Sequence, residues 1–310
     1  MEKQHHCGRV ALVGPPNAGK STLLNALLGQ KITIVTPKPQ TTRNQIVGIL
    51  SEGDDQAIFL DTPGLTEQHG RLSKTMTMAI WSSLRSADIL VVVLDGNLYV
   101  RHEELLESDL ATLLKALATD ERPMVVVFNK IDLFADKNQM LPVFAKLNRL
   151  WPQAEIFPLS ALKQDGLAEL RKLLLKKLPQ GEAEYPKEQV STQPLRFMVA
   201  EIIREKLFLH LRQEVPYGVA VDIEAWDEGE EGEQTVIHGL IYVARAPYKG
   251  MVIGHGGATL KKIGSEARAE IQELLETKVH LELWVKVRDH WTEDPAFLRD
   301  IGLLTEGDSA

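Results

Sequence analysis

The sequence predicts an α/β protein in which a doubly wound domain with a phosphate-binding loop precedes a smaller α+β domain. Strands and helices alternate through the first 180 residues, and a glycine-bracketed loop follows the first apolar strand. A second glycine-rich loop lies between two helices in the last third. The length of 310 residues also exceeds the size at which one core usually keeps growing. We therefore predict domains at 1–180 and 195–310, joined by a proline-bearing linker at 181–194.

The composition is that of an ordinary globular protein, with 44% hydrophobic and 25% charged residues. The longest aliphatic run, Ile89 to Leu94, is far shorter than a bilayer span, and the N-terminus lacks the apolar stretch of a signal peptide. Cys7 is the only cysteine, which excludes an internal disulfide and favours a reducing cytoplasm. We expect His5, His6 and Cys7 to form a frayed tail and not a metal site. The net charge of −8 argues against broad coating of nucleic acid but leaves room for a small RNA site.

The first chemical signal is the loop from Gly14 to Ser21, which follows the apolar strand Val10 to Val13. Its glycines let successive backbone N–H groups point at phosphate oxygens, and the helix that begins at Thr22 adds its positive end. Lys20 supplies a cation to the outer phosphates, and the Ser21 hydroxyl is a suitable Mg²⁺ ligand. The pattern predicts a site for the triphosphate of a nucleotide.

The next segment, Lys31 to Arg43, shows no helical or strand periodicity and contains Gln40-Thr41-Thr42-Arg43. A threonine hydroxyl on a flexible loop can complete the Mg²⁺ shell only when the γ-phosphate is present. We favour Thr42 over Thr41 for this role.

A predicted antiparallel hairpin, Ile46 to Leu50 and Ala57 to Leu60, then delivers Asp61-Thr62-Pro63-Gly64. Asp61 at the strand end can hold Mg²⁺ through water. The backbone N–H of Gly64 can contact the γ-phosphate, a contact that is lost after hydrolysis.

The remaining elements of the first domain alternate along the chain. Helices are predicted at Leu72 to Ser86, about Glu103 to Ala118 and Gly166 to Leu178, and strands at Ile89 to Leu94, Met124 to Phe128 and Glu155 to Pro158. Such alternation produces a parallel sheet with helices on both faces, and every predicted site residue falls at the carboxyl end of a strand.

The motif Asn129-Lys130-Ile131-Asp132 follows one of these strands and selects the base. The Asp132 carboxylate can accept two hydrogen bonds from N1–H and the exocyclic amine of guanine, which adenine does not offer. Asn129 can meet the other edge of guanine, and the stem of Lys130 can lie over the ring. Within Ser160-Ala161-Leu162, a backbone N–H, that of Ala161, can reach the guanine carbonyl. The predicted ligands are GTP and GDP with Mg²⁺.

The complete prediction for the first domain combines these motifs. The predicted nucleotide-binding residues are Asn17, Ala18, Gly19, Lys20, Ser21, Thr22, Asp61, Gly64, Asn129, Lys130, Asp132, Ser160, Ala161 and Leu162. The predicted Mg²⁺ ligands are Ser21, Thr42 and Asp61, and the residues predicted to act in hydrolysis are Lys20, Thr42, Gly64 and Asn17.

These five motifs, in this order, resemble a translation-factor-class GTPase. Leu65 follows Asp61-Thr62-Pro63-Gly64, at the point where Ras-like GTPases place a glutamine that orients the attacking water. Together with Asn17, this resembles the GTPases in which a hydrophobic residue replaces that glutamine. In that group a monovalent cation, usually potassium, stabilises charge between the β- and γ-phosphates. The resemblance implies that Asn17 is a K⁺ ligand and that potassium stimulates hydrolysis of GTP to GDP and phosphate.

Beyond the linker, the predicted order α-β-β-α-α-β is similar to that of a type II KH domain. Three helices are predicted: one from Leu195 to about Arg212, a short one that ends just before Gly254, and one from Ala258 to Glu276. The predicted strands are Val219 to Ala225, Thr235 to Ala244 and His280 to Val287. The predicted buried face of the last strand is Leu281, Leu283, Val285 and Val287.

The loop Gly254-His255-Gly256-Gly257 resembles the KH loop, which clamps the backbone of about four single-stranded nucleotides. The predicted RNA-binding residues are Lys249, Ile253, Gly254, His255, Gly256, Gly257, Lys261 and Lys262. His255-Gly256 departs from the usual basic pair. Acidic side chains outnumber basic ones in this domain, so RNA contact should be confined to a locally basic face and be selective for sequence.

A GTPase domain in front of a type II KH domain resembles the Era family of bacterial ribosome-assembly GTPases over nearly the whole chain. Gln40 to Arg43, Asp61 to Leu65 and His280 to Val287 carry the resemblance in detail. It implies a monomer that binds near the 3′ end of small-subunit ribosomal RNA and acts in ribosome biogenesis, in the maturation of the small subunit. It also implies a cytoplasmic protein with peripheral association with the inner membrane.

Two other classes stay open on the sequence alone. The first is a tRNA-modification or other regulatory GTPase whose KH-like domain docks a protein partner. Loss of RNA binding in Gly254→Asp and Gly257→Asp would argue against it. The second is an ATP-using, kinase-like phosphotransferase, which Asp132 disfavours.

Overall fold

The computed structural model describes residues 5–65, 70–229 and 234–304, and the chain divides into two compact units. The first unit comprises Met1–Thr33, Thr42–Glu67 and Met76–Thr192, and the second comprises Ile34–Thr41, Gln68–Thr75 and Gln193–Ala310. Two short segments from the N-terminal half therefore belong to the second unit. The sequence did not lead us to expect this division.

The first unit is built on a six-stranded sheet with the order β2-β3-β1-β4-β5-β6. Its strands are β1 (Cys7–Val13), β2 (Ile46–Glu52), β3 (Asp55–Asp61), β4 (Ile89–Asp95), β5 (Met124–Asn129) and β6 (Glu155–Pro158). β2 and β3 form the predicted antiparallel hairpin, and the other pairings are parallel. The doubly wound topology predicted from the sequence is confirmed.

Helices accompany these strands in sequence. They are α1 (Lys20–Leu28), α2 (Arg71–Ser86), α3 (Gly96–Arg101), α4 (Leu105–Ala116), α5 (Leu141–Leu150) and α6 (Leu167–Lys177). The central strands β4 and β5 are apolar and buried along nearly their whole length, as expected for parallel strands covered on both faces.

The helix predicted at about Glu103 to Ala118 is present as α4, whereas the short helix α3 that precedes it was not predicted. The Asp95 carboxylate starts α3 by accepting a hydrogen bond from the N–H of Leu98 at 3.1 Å. Helix α5 was not predicted. It begins with a proline in its first turn and buries Val143 and Leu147.

The expectation of a frayed N-terminal tail is wrong for His6 and Cys7. Cys7 is buried at the start of β1, and Nδ1 of His6 lies 3.0 Å from Oδ1 of Asp55. Among the described residues, no group of three His, Cys, Asp or Glu side chains could hold a metal ion.

Most of the predicted linker packs on the edge of the first sheet. The N–H of Ile49 donates to the carbonyl of Val190 at 2.8 Å, and Oγ of Ser191 donates to the carbonyl of Val47 at 2.8 Å. These bonds continue the pairing of β2 beyond the hairpin, so the first unit extends to Thr192.

The second unit contains a three-stranded sheet with the order β7-β8-β9. Its strands are β7 (Val219–Asp227), β8 (Thr235–Val243) and β9 (Val279–Val287), and its helices are α7 (Leu195–His210), α8 (Ala246–Ile253), α9 (Ala258–Leu275) and α10 (Pro295–Asp300). β7 and β8 are antiparallel, whereas β8 and β9 are parallel. The predicted order α-β-β-α-α-β is confirmed, and α10 is an addition that was not predicted.

The buried face predicted for the last strand is wrong at one position. Val285 is buried and Leu281 and Leu283 are partly buried, but Val287 is 38% exposed at the strand end. Its place in the alternation is taken by Val279, which is 5% exposed. The pattern therefore had the correct phase but began one step too late.

Beyond β9, the chain covers part of the sheet. The Phe297 ring lies edge-on to the Tyr242 ring, with centroids 4.7 Å apart, and Nε1 of Trp291 donates to the carbonyl of Gly218 at 3.0 Å. The carboxylate of Glu293 accepts a hydrogen bond from the N–H of Arg71 at 3.1 Å, which holds the start of α2 in this unit. Among the described residues, no helix has the length and apolar character needed to span a bilayer.

Candidate nucleotide and RNA sites

The phosphate loop depends on two glycines that pack against neighbouring chain. Gly14 has φ of 141°, and a Cβ there would lie 2.3 Å from the carbonyl oxygen of Val93. Gly19 has φ of 94°, and a Cβ there would lie 2.3 Å from Nδ2 of Asn129. Any side chain would therefore push the loop away from β4 and β5, and only glycine permits the observed close approach.

Lys20 lies inside this loop and is only 7% exposed. Its Nζ donates to the carbonyls of Gly14 at 3.0 Å and Pro15 at 2.9 Å. Burial lowers the pKa of Lys20 to about 8, and the nearby Asp61 carboxylate acts in the opposite direction. The loop thus holds a dehydrated cation whose present partners are neutral carbonyls, a setting that favours a phosphate oxygen in their place.

The Ser21 hydroxyl lies within hydrogen-bonding distance of the other two predicted Mg²⁺ ligands. Oγ of Ser21 donates to Oδ2 of Asp61 at 2.7 Å and lies 2.9 Å from Oγ1 of Thr42. The other carboxylate oxygen of Asp61 is buried without a hydrogen-bond partner among the described residues. Burial raises the pKa of Asp61 to about 6. An orphaned buried oxygen beside two hydroxyls is a donor set that fits a hard divalent cation.

Gly64 and Leu65 pack directly against the phosphate loop. A Cβ at Gly64 would lie 2.8 Å from Cα of Pro16, so the backbone at this position can approach the loop closely. The N–H of Leu65 donates to the carbonyl of Gly14 at 3.3 Å, and its side chain packs on the apolar core of the first unit. Leu65 therefore offers no polar group to a water molecule.

Asn129 joins the motifs of the nucleotide site and is only 2% exposed. Its Nδ2 donates to the carbonyl of Ala18 at 2.9 Å, and its Oδ1 accepts from the N–H of Ala161 at 3.0 Å. It also accepts from the N–H of Lys130 at 2.8 Å. Both ends of the amide are therefore used in fixing three predicted motifs to one another.

Lys130 reaches back across the phosphate loop. Its Nζ donates to the carbonyl of Asn17 at 2.8 Å and to Oδ2 of Asp95 at 2.6 Å. Sequence reasoning missed Asp95, although its position at the end of β4 is the kind of place where site residues occur in such sheets. Asp95 fixes the lysine stem, so the stem has one defined direction.

Asp132 and Ser160, which were predicted to lie at the base, are joined to each other. Oγ of Ser160 donates to Oδ1 of Asp132 at 2.5 Å and accepts from the N–H of Lys163 at 3.1 Å. The exposed Asp132 carboxylate is thus held by one oxygen while the rest of its accepting capacity faces outward. Leu162 is 72% exposed beside this loop.

Asn17 occupies the exposed tip of the phosphate loop, with φ of 60°. Among the described residues its side chain has no hydrogen-bond partner, and only its backbone carbonyl is used. The amide oxygen is therefore available to a ligand.

In the second unit, the glycine-rich loop has the left-handed backbone that the sequence suggests. Gly254, Gly256 and Gly257 have φ values of 73°, 56° and 82°. A Cβ at Gly254 would lie 2.2 Å from Oγ1 of Thr259. The loop therefore brings bare backbone to the start of α9, where a phosphate can approach closely.

A groove of about 420 Å³ runs beside this loop along α9 and β9. It is lined by Gly257, Leu260, Lys261, Gly264, Ser265, Arg268, Leu281 and Leu283. Of the predicted RNA-binding residues, Gly257 and Lys261 line it. Lys249, Ile253, Gly254, His255, Gly256 and Lys262 are not among the lining residues, although Lys249, His255, Gly256 and Lys262 are exposed.

Sequence reasoning missed most of the groove. The missed helical residues recur with a spacing of three or four along one face of α9, and the two leucines alternate along β9. Leu281 and Leu283 were predicted as core residues. Their spacing was visible in the sequence, but the partial exposure of their side chains was not.

Two family models match the chain. The model described as 50S ribosome-binding GTPase matches residues 9–130, and the model described as KH domain matches residues 214–292. The first spans the phosphate loop through Lys130, and the second spans the glycine-rich loop and the groove.

Several proteins named GTPase Era are similar over nearly the whole length. The protein of Desulfovibrio desulfuricans is 67% identical over 302 residues, covering 97% of this chain and 98% of that protein. The protein of Pasteurella multocida is 42% identical, with coverage of 97% and 96%.

Two solved structures of Era are also similar, each at 39% identity and covering 97% of this chain and 100% of theirs. One is a variant of Aquifex aeolicus Era bound to GDP·AlF4⁻, with a TM-score of 0.87. The other is Era in complex with MgGDPNP and nucleotides 1506–1542 of 16S ribosomal RNA, with a TM-score of 0.88.

Proposed function

The chain belongs to the Era family of GTPases, and from that premise we propose that it binds the 3′ region of small-subunit ribosomal RNA through its KH domain in its GTP-bound state. The groove beside the glycine-rich loop carries this proposal. Its lining combines apolar side chains and glycines with two cations, Lys261 and Arg268. This combination suits unstacked bases on one side and a sugar-phosphate backbone on the other.

The similar Era bound to 16S ribosomal RNA nucleotides and MgGDPNP supports this choice of RNA. Only a few basic residues border the groove within an acidic domain. Binding should therefore depend more on base contacts than on charge, and its affinity should fall only moderately with salt.

The first test compares RNA affinity between the GTP-analogue and GDP states. It also uses a substitution that alters the groove without straining the backbone. Gly264 lies in α9, and a Cβ there would make ordinary contact with Cδ1 of Leu283, at 3.4 Å. Gly264→Leu should fill the groove and weaken binding of a single-stranded segment from the 3′ end of small-subunit ribosomal RNA by about tenfold or more. Fluorescence anisotropy, with protein loaded with a non-hydrolysable GTP analogue or with GDP, measures the effect.

Ala269→Leu is the matched control, because Ala269 is exposed on the same helix and is not among the groove-lining residues. It should bind RNA as the unaltered protein does. Equal affinity of Gly264→Leu and Ala269→Leu would contradict the RNA-binding role of the groove. If the unaltered protein bound RNA neither with the GTP analogue nor with GDP, a protein partner for the KH domain would be favoured.

In the first unit, we propose that Ser21, Thr42 and Asp61 hold Mg²⁺, which would neutralise charge on the outer phosphates. Their convergence and the orphaned oxygen of Asp61 support this assignment. Lys20 pairs with the β- and γ-phosphates, and the Gly64 N–H contacts the γ-phosphate. Ala18, Gly19 and Thr22 complete the phosphate cradle, while Asn129, Lys130, Asp132 and the loop from Ser160 to Leu162 hold guanine.

We also propose that potassium stimulates hydrolysis through Asn17, whose side chain is exposed at the loop tip. Asn17→Gly removes the amide but keeps a residue that adopts φ of 60° without strain. We expect hydrolysis in KCl to slow by roughly tenfold and the difference between KCl and NaCl to disappear. Single-turnover GTP hydrolysis in each salt measures this.

The rate of Asn17→Gly in NaCl and its affinity for GDP serve as internal controls, and both should stay near those of the unaltered protein. A retained preference for KCl in the variant would exclude Asn17 as the potassium ligand.

The remaining proposals rest on family resemblance. The protein acts as a monomer in the cytoplasm, with a peripheral association with the inner membrane, and its target is the small ribosomal subunit during maturation. Co-sedimentation of the GTP-analogue-bound protein with immature small subunits tests this placement.

A further inference from the structure

We propose that Arg204 is a positioning residue for GTP hydrolysis, because it holds the backbone from which Thr42 extends its hydroxyl. The proposal rests on the function assigned above to Thr42. It adds a residue of the KH unit to the apparatus of hydrolysis, and that residue touches neither nucleotide nor metal.

Arg204 lies on α7 and is 3% exposed. Its Nη2 donates to the carbonyl of Thr41 at 2.6 Å. Glu201 holds the same guanidinium through Nε at 2.7 Å and Nη2 at 2.5 Å, and the ring of Phe208 lies 5.2 Å from Cζ. A guanidinium clamped by a carboxylate and a ring keeps one orientation, so its bond to Thr41 also has a defined direction.

Two further contacts fasten the same segment to α7. The N–H of Val35 donates to Oε1 of Glu205 at 2.8 Å, and Glu205 is 3% exposed. Nζ of Lys38 donates to the carbonyls of Phe208 and Leu211 at the end of the helix. The segment Ile34–Thr41 is thus held near both ends by Arg204 and Glu205, which are neighbours in sequence.

The burial of these two charges points to a positioning role. Charged side chains are rarely buried, because removal from water is costly unless their bonds are satisfied. Nη1 of Arg204 is buried without a hydrogen-bond partner among the described residues, so this site carries part of that cost. An apolar helix face would pack α7 more cheaply but could not bind the backbone of Ile34–Thr41.

The peptide bond after Thr41 connects this segment to the metal site. Thr41 belongs to the second unit and Thr42 to the first, and Oγ1 of Thr42 lies 2.9 Å from Oγ of Ser21. Without Arg204 the Thr41 carbonyl gains rotational freedom, and the Thr42 hydroxyl is in place for a smaller fraction of the time. Affinity for GDP should not change, because Ile34–Thr41 contributes none of the residues assigned to the base or the phosphate loop.

The test uses the full-length protein with Arg204→Met and Arg204→Lys. Met keeps much of the buried volume and removes all donors, whereas Lys keeps one cation that can reach a carbonyl. We expect kcat for GTP to fall about tenfold in Arg204→Met and by less in Arg204→Lys, with GDP affinity unchanged. Hydrogen exchange at residues 41–43 of the GTP-analogue complex should rise in Arg204→Met toward the level of the GDP complex.

His210→Gln, also on α7, is the matched control. It alters the contact of 2.6 Å between Nε2 of His210 and Oε2 of Glu266 on α9, and the described contacts of His210 do not include Ile34–Thr41. Its kcat and its exchange at 41–43 should equal those of the unaltered protein. Thermal melting of all variants separates loss of fold from loss of positioning.

Three results would overturn the inference. These are an unchanged kcat in Arg204→Met, a parallel loss of GDP affinity and kcat, or equal effects of Arg204→Met and His210→Gln. The proposed function of Thr42 fails separately, if replacing Thr42 itself leaves hydrolysis unchanged. If kcat is unchanged in Arg204→Met but falls in a Thr42 variant, only the role of Arg204 is refuted.

Discussion

Asp132→Asn should lose about a hundredfold or more of its affinity for GTP and gain affinity for xanthosine triphosphate. In the proposed base site, the Asp132 carboxylate accepts from N1–H and the exocyclic amine of guanine. An asparagine would place its –NH2 group opposite the guanine amine, so neither of these two donors would find an acceptor. Xanthine carries a carbonyl in place of the amine, so it accepts from the new amide. Competition of GTP and xanthosine triphosphate against a fluorescent nucleotide measures the exchange of preference.

The structure gives a reason to expect that Asp132→Asn folds normally. Among the described residues, the Asp132 side chain is bonded only through Oδ1, to Oγ of Ser160 at 2.5 Å, and the asparagine retains one oxygen for this bond. Asp136→Asn is the control, because Asp136 lies in the following loop and its side chain accepts only from the N–H of Asn138 among the described residues. A guanine preference that survives in Asp132→Asn would contradict the assignment of the base site.

The arrangement of the candidate nucleotide site was predictable from sequence because its residues lie in local motifs. Lys20 and Ser21 are adjacent at the start of α1, and Asp61 and Asn129 each end a strand. In a parallel sheet the carboxyl ends of strands lie along one edge, so a correct order of strands already brings these side chains together. Hydrogen bonds of 2.7 to 3.0 Å now join Ser21 to Asp61 and Asn129 to Ala161.

Contacts between residues far apart in sequence were not predictable in the same way. The groove proposed to bind RNA needs α9 and β9 side by side, and the single sequence reveals the periodicity of each element but not their pairing. Asp95 was missed because a carboxylate after a strand has many possible partners. The bond from Arg204 to Thr41 spans 163 residues and leaves no local pattern.

The errors at element ends have physical causes as well. The short helix α3 was missed because its start depends on the side chain of Asp95, which caps the helix directly after β4. Cys7 was assigned to a tail, since three polar or reactive residues near the N-terminus carry no strand periodicity. Its burial comes from pairing of β1 with β3, which the local sequence does not encode.

Thr42→Val should lower kcat for GTP by about a hundredfold, whereas Thr41→Val should change it by only a few-fold. The two threonines are adjacent and similarly buried, at 8% and 9% exposure, so both substitutions keep the shape and remove one buried hydroxyl. Oγ1 of Thr42 lies 2.9 Å from Oγ of Ser21 at the proposed Mg²⁺ site. Oγ1 of Thr41 instead lies 2.6 Å from Oγ1 of Thr36 and donates to the carbonyl of Lys38 at 2.8 Å.

Single-turnover hydrolysis across a Mg²⁺ titration distinguishes the two residues. Thr42→Val should need more Mg²⁺ for half-maximal rate, while Thr41→Val should show an unchanged requirement and a lower melting temperature. The backbone carbonyl of Thr41 survives its substitution, so the bond from Arg204 remains and Thr42 stays in place. A larger loss of rate in Thr41→Val than in Thr42→Val would reverse the assignment. Because Arg204 acts through Thr42, it would also remove the basis for a positioning role of Arg204.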